Sequence, residues 1–256
     1  MAIEGELSYY GAIGEEGVRH AKAKPFSDHD CAFMLMQIGA VFAILPPPPA
    51  KVLECGCGVG WLTRMLYMRG YDCVGVDVSD EAIKLAQPLA ESSGGAMNFQ
   101  VANVENLPFT EEFDAVIYFD ALHHCIDEGA AIKAAFNALK PGGMFIASEP
   151  GNGHAKNSEE VIRKFGVTEK DMPASHITAL GKAAGFTTFR QFPRMDDVGR
   201  YFFLDRVSSS WKKKLLEKFS LFNLMNFVRI ARKTKKHLDN DLLVMYKPAA
   251  GAGTAK

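Results

Sequence analysis

The sequence has no apolar run long enough to cross a bilayer. Its most apolar stretch, Cys31 to Leu45, holds fifteen residues including Gln37 and stops at Pro46-Pro47-Pro48-Pro49, short of the roughly 20 that a spanning helix needs. It reads as a buried helix capping a domain. Net charge is missing too: 29 basic against 30 acidic residues leave a formal charge of −1. No global field draws such a chain to nucleic acid or a membrane, and no nucleic-acid partner is expected. Cysteine is sparse and odd in number, at Cys31, Cys55, Cys57, Cys73 and Cys125. A chain of 256 residues buries enough surface to fold without disulfides, which points to a reducing, cytoplasmic compartment. Cys55-x-Cys57 lacks the paired spacing of a zinc site, so no metal is expected. The start, Met1-Ala2-Ile3-Glu4-Gly5-Glu6, lacks the basic leader and apolar run of a secretory signal.

What is present is an alternation. From Lys51 onward, short β-branched runs alternate with helix-length segments, the pattern of a doubly wound α/β sheet of about seven strands, mostly parallel with the last antiparallel. Strands are expected at Lys51–Cys55, Asp72–Asp77, Met97–Val101, Ala115–Phe119, Met144–Ser148, Thr187–Phe192 and Leu242–Tyr246. Helices are expected at Trp61–Arg69, Asp80–Glu91 and Gly129–Leu139, where apolar residues recur at three- and four-residue intervals. Ser79 before Asp80 and Glu81 supplies a helix cap and an acidic first turn. Pro141-Gly142-Gly143 reads as the stop of a helix and a turn into the next strand. Residues 1–50 form an N-terminal arm or helical cap, 51–248 the main domain with an insertion at about 198–238, and 249–256 a loose tail.

The candidate ligand loop is Glu54-Cys55-Gly56-Cys57-Gly58-Val59-Gly60. Glycines there let the backbone turn sharply against a ligand, and the helix that follows aims its first amides into the same crevice. A dinucleotide fingerprint beginning at Gly56 requires glycine at 61, where this chain has Trp61. Asp77 stands 21 residues after Gly56, where a carboxylate accepts from ribose hydroxyls; a turn or cap role beside Ser79 is compatible with that.

The loop with its leading Glu54 resembles motif I of class I S-adenosylmethionine-dependent methyltransferases, types 11 and 25 among them. Ala102-Asn103-Val104-Glu105-Asn106-Leu107-Pro108-Phe109, the strand Phe113–Phe119 with Asp120-Ala121-Leu122-His123-His124, and the turn Leu139-Lys140-Pro141-Gly142-Gly143 resemble later motifs of the same family over about residues 51–150. The resemblance implies a Rossmann-like fold and S-adenosylmethionine as cofactor. It implies cofactor contacts from Glu54, Gly56, Cys57, Gly58, Gly60, Trp61, Asp77, Val78, Asn103, Val104, Glu105 and Phe119. The family has an aspartate where Asn103 stands; an amide oxygen still accepts from an adenine amine.

In a doubly wound sheet the segments after strands one, four and five face one crevice, which brings Asp120, His123, His124, Glu149 and His154 near the methyl group. The sulfonium methyl is already electrophilic, so alignment is the main task and a base is needed only for a protonated acceptor. His124 is the first choice of base and His123 the second; the alternative is that the pair hydrogen-bonds the backbone or lines the pocket. Phe119-Asp120-Ala121-Leu122 lacks the Pro-Pro-aromatic turn of enzymes that methylate base amines, and Cys125 follows His124 rather than proline, unlike cytosine C5 enzymes. A small-molecule, glycan or lipid-linked acceptor and O-methylation follow. Ser148–His154, Gly60–Thr63 and Thr168–Pro173 are similar to a subgroup associated with polysaccharide and glycosyl-transfer pathways. A cofactor-binding but inactive partner subunit and a nicotinamide-dependent enzyme are the competing readings.

Residues 211–236 carry nine basic side chains and the single acid Glu217, a local charge of +8 against −9 for the remainder, among eleven large apolar residues. The segment reads first as an amphipathic helix packed on the domain with a solvated basic face. Peripheral contact with an anionic membrane or a lipid-linked substrate is the alternative.

Overall fold

The computed structural model describes residues 2–203, 228 and 241–251. The N-terminal segment is helical, with α1 at Ala2–Ala12, α2 at Gly14–Lys22 and α3 at Cys31–Ile44. Then follow β1 (Lys51–Cys55), α4 (Trp61–Met68), β2 (Asp72–Asp77), α5 (Asp80–Glu91), β3 (Met97–Val101), β4 (Phe113–Phe119), α6 (Glu128–Ala138) and β5 (Leu139–Ser148). Short helices α7 (His154–Asn157) and α8 (Glu159–Phe165) lead to α9 (Ala174–Ala184), β6 (Thr188–Pro193), α10 (Met195–Phe203) and β7 (Asp241–Tyr246).

The seven strands form one sheet in the order β3-β2-β1-β4-β5-β7-β6. All neighbouring pairs from β3 to β5 are parallel, and β7 runs antiparallel between β5 and β6. Alternation along the strands divides the core in two. Val52, Ala115, Ile117, Ile146, Leu242 and Val244 face Ile38, Val41, Leu62 and Leu66 of α3 and α4. Leu53, Val116, Tyr118, Phe145, Leu243 and Met245 face Ala131, Ile132, Ala135 and Ile177 of α6 and α9. Burial on both faces explains why the strands read as nearly continuous apolar runs.

The expected strands and the doubly wound class are present. The Pro141-Gly142-Gly143 turn is placed differently: α6 ends at Ala138, and these residues lie inside β5, which starts at Leu139 opposite Phe113. The register shifts between Phe113 and Ala115. Gly142, at φ 80°, donates its N–H to Lys247 and Pro248 carbonyls, so an irregular strand start takes the place of the expected loop.

The residues preceding the first strand are helical and hold one wall of the molecule in place. Gln37, buried on apolar α3, donates from Nε2 to Ser148 Oγ at 2.9 Å and accepts from the Met195 N–H at 2.7 Å. One amide thus joins α3, the end of β5 and the start of α10. A Cβ on Gly199 would lie 2.4 Å from Met36 Sδ and 3.0 Å from Phe33 Cδ1, so α10 sits flush on α3. The basic segment 211–236 apart from Val228, most of the expected insertion and the end of the tail lie outside the described residues. Among the described residues no helix is long and apolar enough to cross a membrane.

Replacing Gln37 by leucine keeps the volume and leaves the buried Ser148 hydroxyl and the part-buried Met195 N–H without their partner. The expected cost is about 1–3 kcal/mol in urea denaturation; a stability equal to wild type would show that the amide is not a latch.

Candidate active site

The sheet order reverses between β1 and β4, which opens a crevice beyond their carboxyl ends. The glycine loop enters it directly. Gly56, Gly58 and Gly60 have φ of 73°, 52° and 81°, a left-handed backbone that other residues adopt only with strain. A Cβ on Gly56 would stand 2.6 Å from Ala121 Cβ, and one on Gly58 would stand 2.3 Å from the Tyr10 hydroxyl. The N–H groups of Gly56 and Cys57 both donate to the Val76 carbonyl at 2.8 and 3.0 Å, which pins the loop to β2.

Asp77 holds the turn, as one of its two readings has it. Its Oδ2 accepts from the Gly58 N–H at 2.8 Å and its Oδ1 from the Ser79 N–H at 2.9 Å, while Ser79 Oγ caps α5 through Ala82 N–H. The same carboxylate lines the crevice, and burial raises its pKa. Glu54 stands behind the loop, buried, and accepts a hydrogen bond from Thr63 Oγ1; burial pushes its carboxyl up to about 8.

A cavity of about 300 Å³ fills the crevice. Of the expected residues, Gly56, Cys57, Gly58, Trp61, Asp77 and Val78 line its first half, and Asn103, Val104, Glu105, Phe119, Asp120 and His124 its second. Glu54, Gly60 and His123 are not among the lining residues. Asn103 Oδ1 accepts from the Glu105 N–H at 2.9 Å, and Glu105 in turn accepts from the Ile126 and Asp127 N–H groups at 2.7 and 3.2 Å. These bonds shape the wall opposite Asp77. Trp61 meets Phe119 edge to face, 5.8 Å between ring centroids.

The roof was missed by sequence reasoning. Glu6, Tyr9 and Tyr10 of α1 close the cavity from above, with Tyr9 stacked edge-on against Phe165 of α8 at 5.4 Å. Burial, then the nearby Asp77, holds the Tyr10 phenol far above its usual range. The spacing of Glu6 from Tyr9 and Tyr10, three and four residues, was the available signal.

The turn after β4 carries the chemistry. Asp120 has φ 49°, an uncommon conformation for a residue with a side chain, and its N–H donates to the Ser148 carbonyl at 2.8 Å. Buried Glu149, one residue beyond β5, accepts from the N–H groups of Ala121, Leu122 and His123 at 3.0, 2.9 and 3.3 Å. It also accepts from His123 Nδ1 at 2.8 Å. His123 Nε2 lies 3.3 Å from Glu169 Oε2, and His154 Nε2 lies 2.6 Å from the same oxygen. Burial alone would push His123 down, but hydrogen bonds to Glu149 and Glu169 outweigh it and hold the imidazolium up to about 10. The paired carboxylates respond in kind: burial is outweighed by the His123 contacts, and Glu169 falls to about 2. With both nitrogens committed to carboxylates, His123 is a fixed positive charge and is not free to take a proton.

His124 is held otherwise. Its Nδ1 lies 2.6 Å from the Thr168 carbonyl and 3.3 Å from Glu6 Oε1. Both partners only accept, so Nδ1 carries the proton and the neutral ring keeps the lone pair on Nε2. The histidine that lines the cavity is thus the one whose Nε2 has no hydrogen-bond partner among the described residues. Donor atoms of His123, His124 and Glu169 also lie within 4.8 Å of one another, near enough for a metal ion. The expectation of no metal did not foresee that cluster, in which the His123–Glu169 ion pair already offsets the charge.

Residues 53–147 match a family described as a methyltransferase domain. The ubiquinone biosynthesis O-methyltransferase of Idiomarina loihiensis is 37% identical over 100 residues, 38% of this chain and 41% of that one. Its counterpart in Cereibacter sphaeroides is 33% identical over 138 residues, 50% of this chain and 56% of that one. The chain therefore spans about half the length of the curated relatives it matches. Phosphoethanolamine N-methyltransferase 2 of Haemonchus contortus, solved with S-adenosyl-L-methionine, superposes with a TM-score of 0.58 at 20% identity, covering 83% of this chain and 52% of that one. The SpnF cyclase superposes at 0.52 and 16% identity over 86% of this chain and 82% of that one, so the fold by itself does not dictate the reaction. The matched segment holds the glycine loop, Asp77, the Asn103 turn and the β4 exit. Over residues 53–147 the chain is thus similar to a methyltransferase domain. The two sequence relatives named above are O-methyltransferases.

The His123 site makes stability depend on pH. The fold keeps this proton up to about pH 10, against 6.5 for an ordinary histidine, so between those values the folded chain binds more protons than the unfolded one. The stabilisation is complete below pH 6.5 and lost as pH rises through about 10. Glu54, raised from 4.5 to about 8, lowers stability with rising pH across its own window for the same reason. The urea midpoint should fall steadily from about pH 6.5 to 9.5, and His123→Gln should flatten the fall above about pH 8. A wild-type midpoint that does not change with pH would contradict the assignment.

Proposed function

We propose that the protein methylates a hydroxyl oxygen of a small-molecule or glycan-related acceptor, with His124 as the base. The observation that carries this reading is the His124 ring itself, with Nδ1–H committed to the Thr168 carbonyl and its other nitrogen without a partner among the described residues, in a ring that lines the cofactor cavity. The O-methyltransferase relatives support oxygen as the acceptor atom.

The loop fits the cofactor's methionine part because left-handed Gly56 and Gly58 present bare backbone to the cavity beside Cys57, and Asp77 faces the same cavity for the ribose. Bound S-adenosylmethionine supplies an electrophilic sulfonium methyl group. With that methyl group presented to an acceptor hydroxyl, His124 Nε2 would take the hydroxyl proton as the oxygen is methylated. His123 contributes a fixed imidazolium beneath the turn, and Trp61 and Phe119 supply apolar walls that limit water. Five free cysteines support a reducing, cytoplasmic setting.

Calorimetric titration should show binding of S-adenosylhomocysteine and none of NAD; the reverse would support the nicotinamide reading. Gly58→Arg should abolish S-adenosylhomocysteine binding, because any side chain at 58 meets the Tyr10 hydroxyl. His124→Ala should lower kcat about 10²–10⁴-fold while cofactor affinity stays within about twofold. An unchanged kcat would remove His124 as the base, and an absence of turnover in the wild type would favour the inactive partner subunit.

A further inference from the structure

A second cavity, about 380 Å³, lies between α3, α10 and the end of β4, within the range of ligand pockets. It shares Met34, Phe119 and Asp120 with the cofactor cavity. Those first two are its only apolar lining residues among the described ones; the far wall is polar throughout, with Asp28, Asp30, Asp196, Arg194 and Arg200. Asp120, in its left-handed conformation, stands between the two spaces.

The fold fixes these polar groups before any ligand arrives. Arg194 donates from Nε and Nη2 to both oxygens of Asp196 at 3.1 and 2.9 Å, and from Nη1 to the Glu149 carbonyl at 2.8 Å. Among the described residues these bonds use three of its five N–H groups. Arg200 donates to Asp30 at 2.7 Å and lies over the Phe33 ring at 5.0 Å. Asp28 pairs through Oδ1 with His20 at 3.2 Å, while its Oδ2 is buried without a hydrogen-bond partner among the described residues. A buried acceptor without a donor is costly to leave unmade, and a ligand hydroxyl would satisfy it.

We propose that this cavity is the acceptor pocket and that it takes a neutral or amino sugar, held by hydroxyls that donate to Asp28 and Asp120 and accept from Arg194 and Arg200. The proposal rests on the methyl-transfer reading and adds the acceptor class. Only a molecule with closely spaced groups that both donate and accept can meet alternating carboxylates and guanidinium groups at once. An apolar phenol would strip water from those charges without replacing its hydrogen bonds. Four acidic side chains against two guanidinium groups disfavour a phosphorylated or carboxylated sugar, and the shared Asp120 wall sets the occupant beside the cofactor cavity.

The test measures S-adenosylhomocysteine release with neutral pyranosides, amino sugars, sugar phosphates and dihydroxybenzenes, and binds the accepted sugar calorimetrically to the S-adenosylhomocysteine complex. Turnover is expected with neutral or amino sugars. Asp28→Asn and Arg200→Gln, each tested alone, should raise KM and the sugar Kd about tenfold, with kcat within about threefold and S-adenosylhomocysteine affinity unchanged. Turnover confined to dihydroxybenzenes or sugar phosphates, no turnover with any sugar, or an unchanged KM in both variants overturns the pocket assignment. Failure of the wild type to bind S-adenosylhomocysteine at all would instead remove the methyltransferase reading beneath it.

Discussion

The site depends on one buried carboxylate. Glu149 leaves the end of β5 and accepts from three successive backbone N–H groups at the exit of β4, then from the ring of His123. A carboxylate in such a place is stable only if its charge is met, and His123 meets it. Because the same oxygens hold the turn and the ring, the direction of the β4 exit, the protonation of His123 and the position of His124 are set together.

The consequence is a division of labour between adjacent histidines. His123 is tied at both nitrogens to acids and serves as a charge; His124 is tied at one nitrogen to a carbonyl, and its other has no partner among the described residues. Thr168 and Glu169, which decide the matter, come from the stretch between α8 and α9, and Glu6 comes from α1. The roof, the base and its partners are thus drawn from distant parts of the chain around the switch point of the sheet. On the other side of Asp120, Gln37 and Gly199 lock α10 against α3 and so fix the wall of the second cavity.

Much of this was legible in the sequence because it is local. The β-branched runs gave strand positions to within two residues except at β5, which starts at Leu139 rather than Met144; the glycines at 56, 58 and 60 announced a sharp turn, and Trp61 argued against a dinucleotide turn. Asp77 could be read both as a turn residue and as a cavity wall, since both roles follow from its place after β2. What was not legible is non-local. Nothing near His123 or His124 distinguishes them; their partners lie 26 to 118 residues away. Tyr10 gave no sign that it would meet Gly58, and Pro141-Gly142-Gly143 looked like a turn because strand irregularity and loop share the same residues. Gln37 appeared only as a polar interruption of an apolar helix, although it is the group that joins three elements.

The central claim is that adjacent histidines hold opposite protonation roles, and ¹⁵N-resolved NMR of the imidazole nitrogens near pH 8.5 tests it most directly. Two protonated nitrogens in His123, together with a His124 whose neutral form carries its proton on Nδ1 and a bare Nε2, is the predicted result. A neutral His123, or a His124 protonated on Nε2 in its neutral form, would contradict it.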